Sequence, residues 1–159
     1  MGGTGMEASL FAGEDEAPAR VSALPGSRPL FTYGSLMNED VCKRVLRRSQ
    51  LPPSKPAVLE GFRRFKVNGA SYPGITQSAH CRVKGMLLHL EDPDESIKKM
   101  DEYEGSEYER VTVNVFVDEL HPSEQADVYV FVNPPDPATM QDWSLEEFNE
   151  EWERRHSIQ

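Results

Sequence analysis

The sequence predicts an α+β fold around a mainly antiparallel or mixed sheet that can close into a small barrel. Three observations predict it: about six segments read as strands without helical period, two or three helix signatures lie among them, and most links between strands are too short for a βαβ crossover. A length of 159 residues favours one domain. With 28% charged and 38% hydrophobic residues, most of the chain can collapse around a core.

Residues 1 to 28 carry Gly, Ala, Pro and Ser with few large apolar groups, and read as a mobile tail ahead of a single domain over 29 to 159. Leu30-Phe31-Thr32-Tyr33 is a short buried strand ended by Gly34-Ser35. The spacing then predicts a helix over Asn38 to Arg48, with Asn38 as N-cap, Glu39 and Asp40 in the first turn and basic residues toward the end. Val41, Val45 and Leu46 form its apolar stripe, and Pro52-Pro53 stops it. Strands are expected around Val58 to Val67, Tyr72 to Thr76 and Val83 to Leu90.

A second helix opens at Asp92-Pro93-Asp94-Glu95, with Asp92 as N-cap and proline in its preferred first position, and closes at Gly105. Tyr108 to Val117 alternates as a strand, with four valines on one face. Val128 to Asn133 is another strand, ended by Pro134-Pro135. The last helix starts at Ser144, which forms a capping box with Glu147, while Trp143 and Phe148 have staple spacing.

Subtracting 27 acidic from 17 basic side chains leaves a net charge of −10, which opposes both phosphate backbones and anionic membrane surfaces. Neither nucleic acid nor a membrane is expected as a partner. The longest apolar run, Val128 to Val132, is far short of the roughly 20 residues that span a bilayer. The start lacks the patterns of secretory and mitochondrial addresses, and Met6 stands where myristoylation wants Ser or Thr. Cys42 and Cys81 make no CxxC pair, which fits a reducing, cytoplasmic setting.

The most informative residue is Glu104. At about 100° per residue from Ile97, Met100 falls near ~300° and Glu104 near ~340°, inside the apolar stripe, whereas Glu102 falls near ~140°. An inward carboxyl at the negative end of a helix dipole has its pKa raised by desolvation and by the dipole, toward the range of a useful acid or base. The competing reading is an ion pair with Arg110 or another cation, or a frayed helix end. The second feature is Tyr33-Gly34-Ser35-Leu36, where a strand ends just before a helix. Such a turn leaves backbone N–H groups that can hold an anion, or else it is an ordinary strand-to-helix turn.

Other candidates are weaker. His80, His89, His121 and His156 show no metal-ligand spacing, so no metal or cofactor is expected. Ser35 lacks a nucleophile elbow, and Cys42 reads as helix packing. Phe62 to Lys66 mixes aromatic and basic groups as nucleic-acid platforms do, but in one short strand of an acidic chain. Gly69 to Gly74 carries neither the P-loop lysine nor the dinucleotide fingerprint.

Read together, Phe31-Thr32-Tyr33-Gly34-Ser35-Leu36, Tyr72-Pro73-Gly74-Ile75, Gly85, Asp101-Glu102-Tyr103-Glu104-Gly105 and Tyr108-Glu109-Arg110 resemble the gamma-glutamylcyclotransferase-like superfamily, and within it the AIG2-like branch. The resemblance spans Pro29 to Arg155. It implies a small mixed or antiparallel β-barrel with flanking helices, substrate binding by Tyr33, Gly34, Ser35, Leu36, Met37 and Asn38, and proton transfer by Glu104. Tyr108 and Arg110 are expected to line the pocket or to orient Glu104, with a structural ion pair as the alternative for Arg110.

The implied activity converts a small-molecule γ-glutamyl substrate to 5-oxoproline with release of its amine, without metal or cofactor. Two rivals stand beside it: a noncatalytic module that binds a γ-glutamyl or other amino-acid ligand or a protein partner in a stress response, and an amidohydrolase that would release glutamate. The leaving amine and the oligomeric state are left open.

Overall fold

A computed structural model describes residues 28 to 156, and among these it holds one five-stranded sheet and three α-helices. The strands are β1 (Leu30–Thr32), β2 (Ser54–Lys66), β3 (Pro73–Leu88), β4 (Tyr108–Val115) and β5 (Glu124–Phe131). The helices are α1 (Glu39–Leu46), α2 (Pro93–Glu104) and α3 (Leu145–His156). The expected tail falls outside the described residues except for Arg28. Its guanidinium donates to Asp127 at 3.0 Å, so it belongs with the domain expected to begin one residue later.

The sheet order is β2-β3-β1-β5-β4. The central strand β1 pairs antiparallel with β3, Phe31 facing Leu87, and parallel with β5 at Leu30 and Asp127. Both faces of β1 are covered, as its unbroken burial requires. Leu30 packs with Leu88, Met100 and Phe148 under the helices. Phe31 turns the other way, into a second core with Leu59, Ile75, Leu87 and Val128 inside the curl of the sheet.

Two expectations change. The segments expected as separate strands over Tyr72 to Thr76 and Val83 to Leu90 are one strand, β3, so five strands form where about six were expected. β2 supplies hydrogen-bond partners on both sides of the polar stretch. There a single residue, Gly61 at φ 84°, faces the four residues Ser78 to Cys81. Glycine takes that backbone at little cost, and backbone pairing through an exposed stretch needs no apolar alternation. Barrel closure is also limited: the edge strands meet only where Val58 and Phe116 exchange N–H···O bonds of 2.8 and 2.9 Å. β4 is eight residues long beside the thirteen of β2, so only its tip reaches across.

The helices follow their local signals closely. Asn38 Oδ1 accepts from the Val41 amide at 3.1 Å, and Val41, Cys42 and Leu46 are buried. Ser144 Oγ accepts from the Glu147 amide at 3.2 Å, and the Trp143 and Phe148 rings lie 6.0 Å apart. Asp92 holds the N-cap position of α2 but caps nothing, because it is left-handed at φ 50° and its carboxylate takes Arg48 at 2.8 Å instead. Among the described residues no helix is long and apolar enough to cross a membrane.

Because β5 runs parallel to β1 and antiparallel to β4, three chain ends come together beyond the C-terminal end of β1. They are the turn after β1, the end of β5, and the start of β4 with the α2 terminus that feeds it.

Candidate active site

The turn after β1 is fixed from several sides. Tyr33 is 6% exposed; its hydroxyl donates to the Tyr129 carbonyl at 2.6 Å, and its own carbonyl accepts from Arg64 at 2.8 Å. Gly34 is required by space: a Cβ there would lie 2.7 Å from Pro73 Cγ, whereas its φ of −133° is open to any residue. A 310 turn over Ser35–Met37 follows, with Met37 N–H donating to the Gly34 carbonyl at 2.9 Å. The amides of Ser35 and Leu36 precede that first bond and have no partner within the turn. Leu36 anchors the turn in the core under the helices.

Glu104 is the last residue of α2. Met100, one turn earlier on the same stripe, is fully buried, and Gly105 ends the helix at φ 75°, where glycine is favoured. Among the described residues the Glu104 carboxyl makes neither a hydrogen bond nor an ion pair, and the residue is only partly exposed. Burial, followed by the charge of Asp101, pushes its carboxyl up to about 8.

A cavity of about 180 Å³ joins Glu104 to the turn. Of the residues expected to form the site, Tyr33, Gly34, Ser35, Leu36, Glu104 and Tyr108 line it together. Three others do not. Met37 packs into the core under the helices. Asn38 spends its side chain on the cap of α1 and on Asn149, to which it donates at 2.8 Å. Arg110 grips Asp101 through two bonds of 2.9 and 3.2 Å and Asp127 at 3.1 Å. It is a structural ion-pair partner, and it pairs with neither Glu104 nor the cavity.

Tyrosines make up much of the wall, and each is engaged. Tyr108 donates to the Pro73 carbonyl at 2.7 Å, Tyr129 to Asp101 at 2.6 Å and Tyr72 to Glu107 at 2.8 Å. The Tyr103 and Ser35 hydroxyls lie 2.8 Å apart, a bond that ties α2 to the turn. Burial, with the nearby Glu104 charge second, pushes the Tyr33 and Tyr108 phenols far above their ordinary range. Those phenols stay protonated, whereas the raised Glu104 carboxyl can exchange a proton near neutrality. Among the described residues no cluster of His, Cys, Asp and Glu could hold a metal ion.

Sequence reasoning did not pick out Tyr72, Pro73, Tyr103, Glu107 and Tyr129 as lining residues. Tyr103 had a signal, since it adjoins Glu104 at the same helix end. Tyr129 had a fainter one, as a phenol inside the apolar run Val128 to Val132. Pro73 had none, because its place beside Gly34 follows from how β3 passes β1.

A family model described as gamma-glutamyl cyclotransferase, AIG2-like, matches residues 30–152. AIG2-like protein C of Arabidopsis thaliana is 37% identical over 121 residues, which are 76% of this chain and 69% of that protein. AIG2-like protein A of the same plant is 35% identical over 127 residues, 80% of this chain and 73% of that protein. A solution structure of an Arabidopsis thaliana protein superposes with TM-score 0.64 at 32% identity, covering 87% of this chain and 82% of that one. A structure described as gamma-glutamyl cyclotransferase superposes with TM-score 0.52 at 16% identity, over 82% and 80% of the two chains, a likeness of fold.

Proposed function

The chain belongs to the AIG2-like gamma-glutamyl cyclotransferase family, and from that premise we propose that it is an acyltransferase-type cyclase that converts a γ-glutamyl amine or peptide to 5-oxoproline, with Glu104 as acid and base. One observation carries the reading: a sheltered carboxyl without hydrogen-bond or ion partner faces the same cavity as the Tyr33–Leu36 turn. The substrate's α-carboxylate docks on the backbone amides of the turn, which sets its α-ammonium beside Glu104.

Burial lifts the Glu104 carboxyl up to about 8, which narrows the gap it must cross to take a proton from the substrate's α-ammonium. Once Glu104 has taken the proton, the free amine attacks the γ-carbonyl carbon of the same molecule and a ring C–N bond forms. Glu104 gives that proton to the departing nitrogen as its bond to the carbon breaks, then takes the second proton that the ring nitrogen must lose and passes it to the freed amine, so that a neutral lactam and an ammonium result. Nucleophile and electrophile share one molecule, so the walls chiefly hold the substrate in its attacking geometry, and the aromatic lining keeps competing water out. Free Cys42 and Cys81 support a cytoplasmic setting.

The test is a mass-spectrometric screen of γ-glutamyl dipeptides, glutathione and γ-glutamyl-ε-lysine. The expected result is 5-oxoproline from at least one compound with the wild type and about 10³-fold slower release with Glu104→Gln. Free glutamate in its place would mark an amidohydrolase, and binding without any product would mark a noncatalytic module.

A further inference from the structure

The aromatic and basic stretch Phe62 to Lys66, at the end of β2, splits in its surroundings. Phe62 packs against the core inside the curl of the sheet, Phe65 is fully buried and Lys66 is exposed. Arg63 reaches out to the exposed Asp142 at 4.0 Å. Arg64 differs from both basic neighbours. It is half-buried, and burial pulls its guanidinium below the ordinary range. Among the described residues no carboxylate lies within ion-pair distance of it. The Trp143 ring, with its centroid 5.3 Å from the guanidinium carbon, and one hydrogen bond from Nη1 to the Tyr33 carbonyl at 2.8 Å hold it instead. A cation drawn partly out of water with no anion beside it costs stability, so its place calls for a reason beyond packing.

The peptide that Arg64 grips supplies one. Tyr33 opens the turn, and the Tyr33–Gly34 peptide is trans, so its C=O and N–H point in opposite directions. By fixing the carbonyl, Arg64 fixes the Gly34 N–H on the side away from itself. Tyr33 and Gly34 line the cavity and Arg64 does not, which puts the guanidinium behind the peptide. Among the described residues the Gly34 N–H, like those of Ser35 and Leu36, donates to nothing. The Tyr33 hydroxyl is tied to Tyr129, so residue 33 is held at both its side chain and its carbonyl.

We propose that Arg64 is a positioning residue for the substrate's α-carboxylate: through the Tyr33 carbonyl it aims the amides of the turn, and it backs them with a positive charge that no protein carboxylate neutralises. It leaves Glu104 alone, whose carboxyl is raised by burial and by Asp101. This inference rests on the cyclotransferase reading for the placement of the α-carboxylate on the turn.

The test is a set of calorimetric Kd values for 5-oxoproline, which carries the carboxylate, and for its uncharged carboxamide. The wild type is expected to bind the anion about tenfold more tightly, in line with one charged hydrogen bond. Arg64→Met keeps an unbranched stem beside Trp143 and removes donor and charge. There the preference vanishes through weaker binding of the anion, while the carboxamide Kd barely moves. Arg64→Lys, which returns a charge and a donor, restores part of the preference. Should Arg64→Met fail to fold, Arg64→Gln keeps a donor without the charge, and its preference is expected to fall about fivefold. Equal weakening of both ligands marks an arginine that only supports the fold, and overturns the inference. So does a preference unchanged in the neutral variants, or a wild type that binds the two ligands alike or not at all. No turnover is needed for these values. A wild type with an Arg64-dependent preference that releases no 5-oxoproline from any γ-glutamyl compound upholds the positioning role as the cyclotransferase reading falls, and turnover without that preference does the opposite.

Discussion

Asp101 and Glu104 stand about one helical turn apart on α2, yet their surroundings differ in kind. Asp101 accepts from Arg110 and Tyr129, and although burial works against its charge, those hydrogen bonds hold its carboxyl below the ordinary range. Behind it Asp127, 4% exposed, takes Arg28, Arg110 and Thr112. Glu104 has no such partners, and burial with the neighbouring Asp101 charge lifts it instead. The difference teaches where to look for chemistry. Arg110 could have neutralised Glu104 and is consumed by the network, so the network braces the wall and leaves the proton-exchanging carboxyl bare.

If that division holds, substitutions on the two sides fail in different ways. Glu104→Gln should lower kcat for 5-oxoproline formation about 10³-fold, within the usual range for a lost acid/base, with the fold intact by circular dichroism. Asp127→Ala should do the reverse. It removes a buried acceptor from Arg28, Arg110 and Thr112, of which Arg110 keeps Asp101 and both guanidinium groups are partly solvated, and should cost about 1–2 kcal/mol in a urea melt with little change in kcat. A large kcat loss in Asp127→Ala, or a large stability loss in Glu104→Gln, would break the comparison.

A smaller effect appears in the pH dependence of stability. The folded pKa of Glu104, about 8, lies above its reference value of 4.5, so between these pH values the folded chain keeps a proton that the unfolded chain releases. Stability should therefore fall as pH rises through that window. Glu104→Gln lacks this loss, and its melting temperature should gain on the wild type by several degrees from pH 5 to 8. Parallel curves would mean that Glu104 is not sheltered. The smallest effect is expected for Tyr103→Phe, which cuts the tie between α2 and the turn at Ser35. A roughly threefold to tenfold loss in kcat/KM with a stability change under about 1 kcal/mol would fit.

Much of this was legible before any coordinates. The inward phase of Glu104 follows from helical period alone, and the Asn38 and Ser144 caps form as their side chains dictate. Gly34 was legible as a turn, but the reason for it was not, since the clash with Pro73 depends on two strands far apart in sequence. The same limit explains Met37, Asn38 and Arg110. Adjacency to a motif says nothing of direction, and each of the three points into packing, a cap or an ion pair that only the tertiary fold supplies. The continuity of β3 was hidden for a related reason: Ser78 to Cys81 shows no alternation, and the pairing that makes one strand of the segments on either side of it comes from β2.

The central claim is that Glu104 is a sheltered, unpartnered carboxyl poised near neutrality. It is tested most directly by a 13C NMR titration of the glutamate carboxyl groups, with Glu104 assigned by the resonance missing in Glu104→Gln. The account predicts that this carboxyl titrates at about 8. A value below about 5, the range of a solvated glutamate, would contradict it.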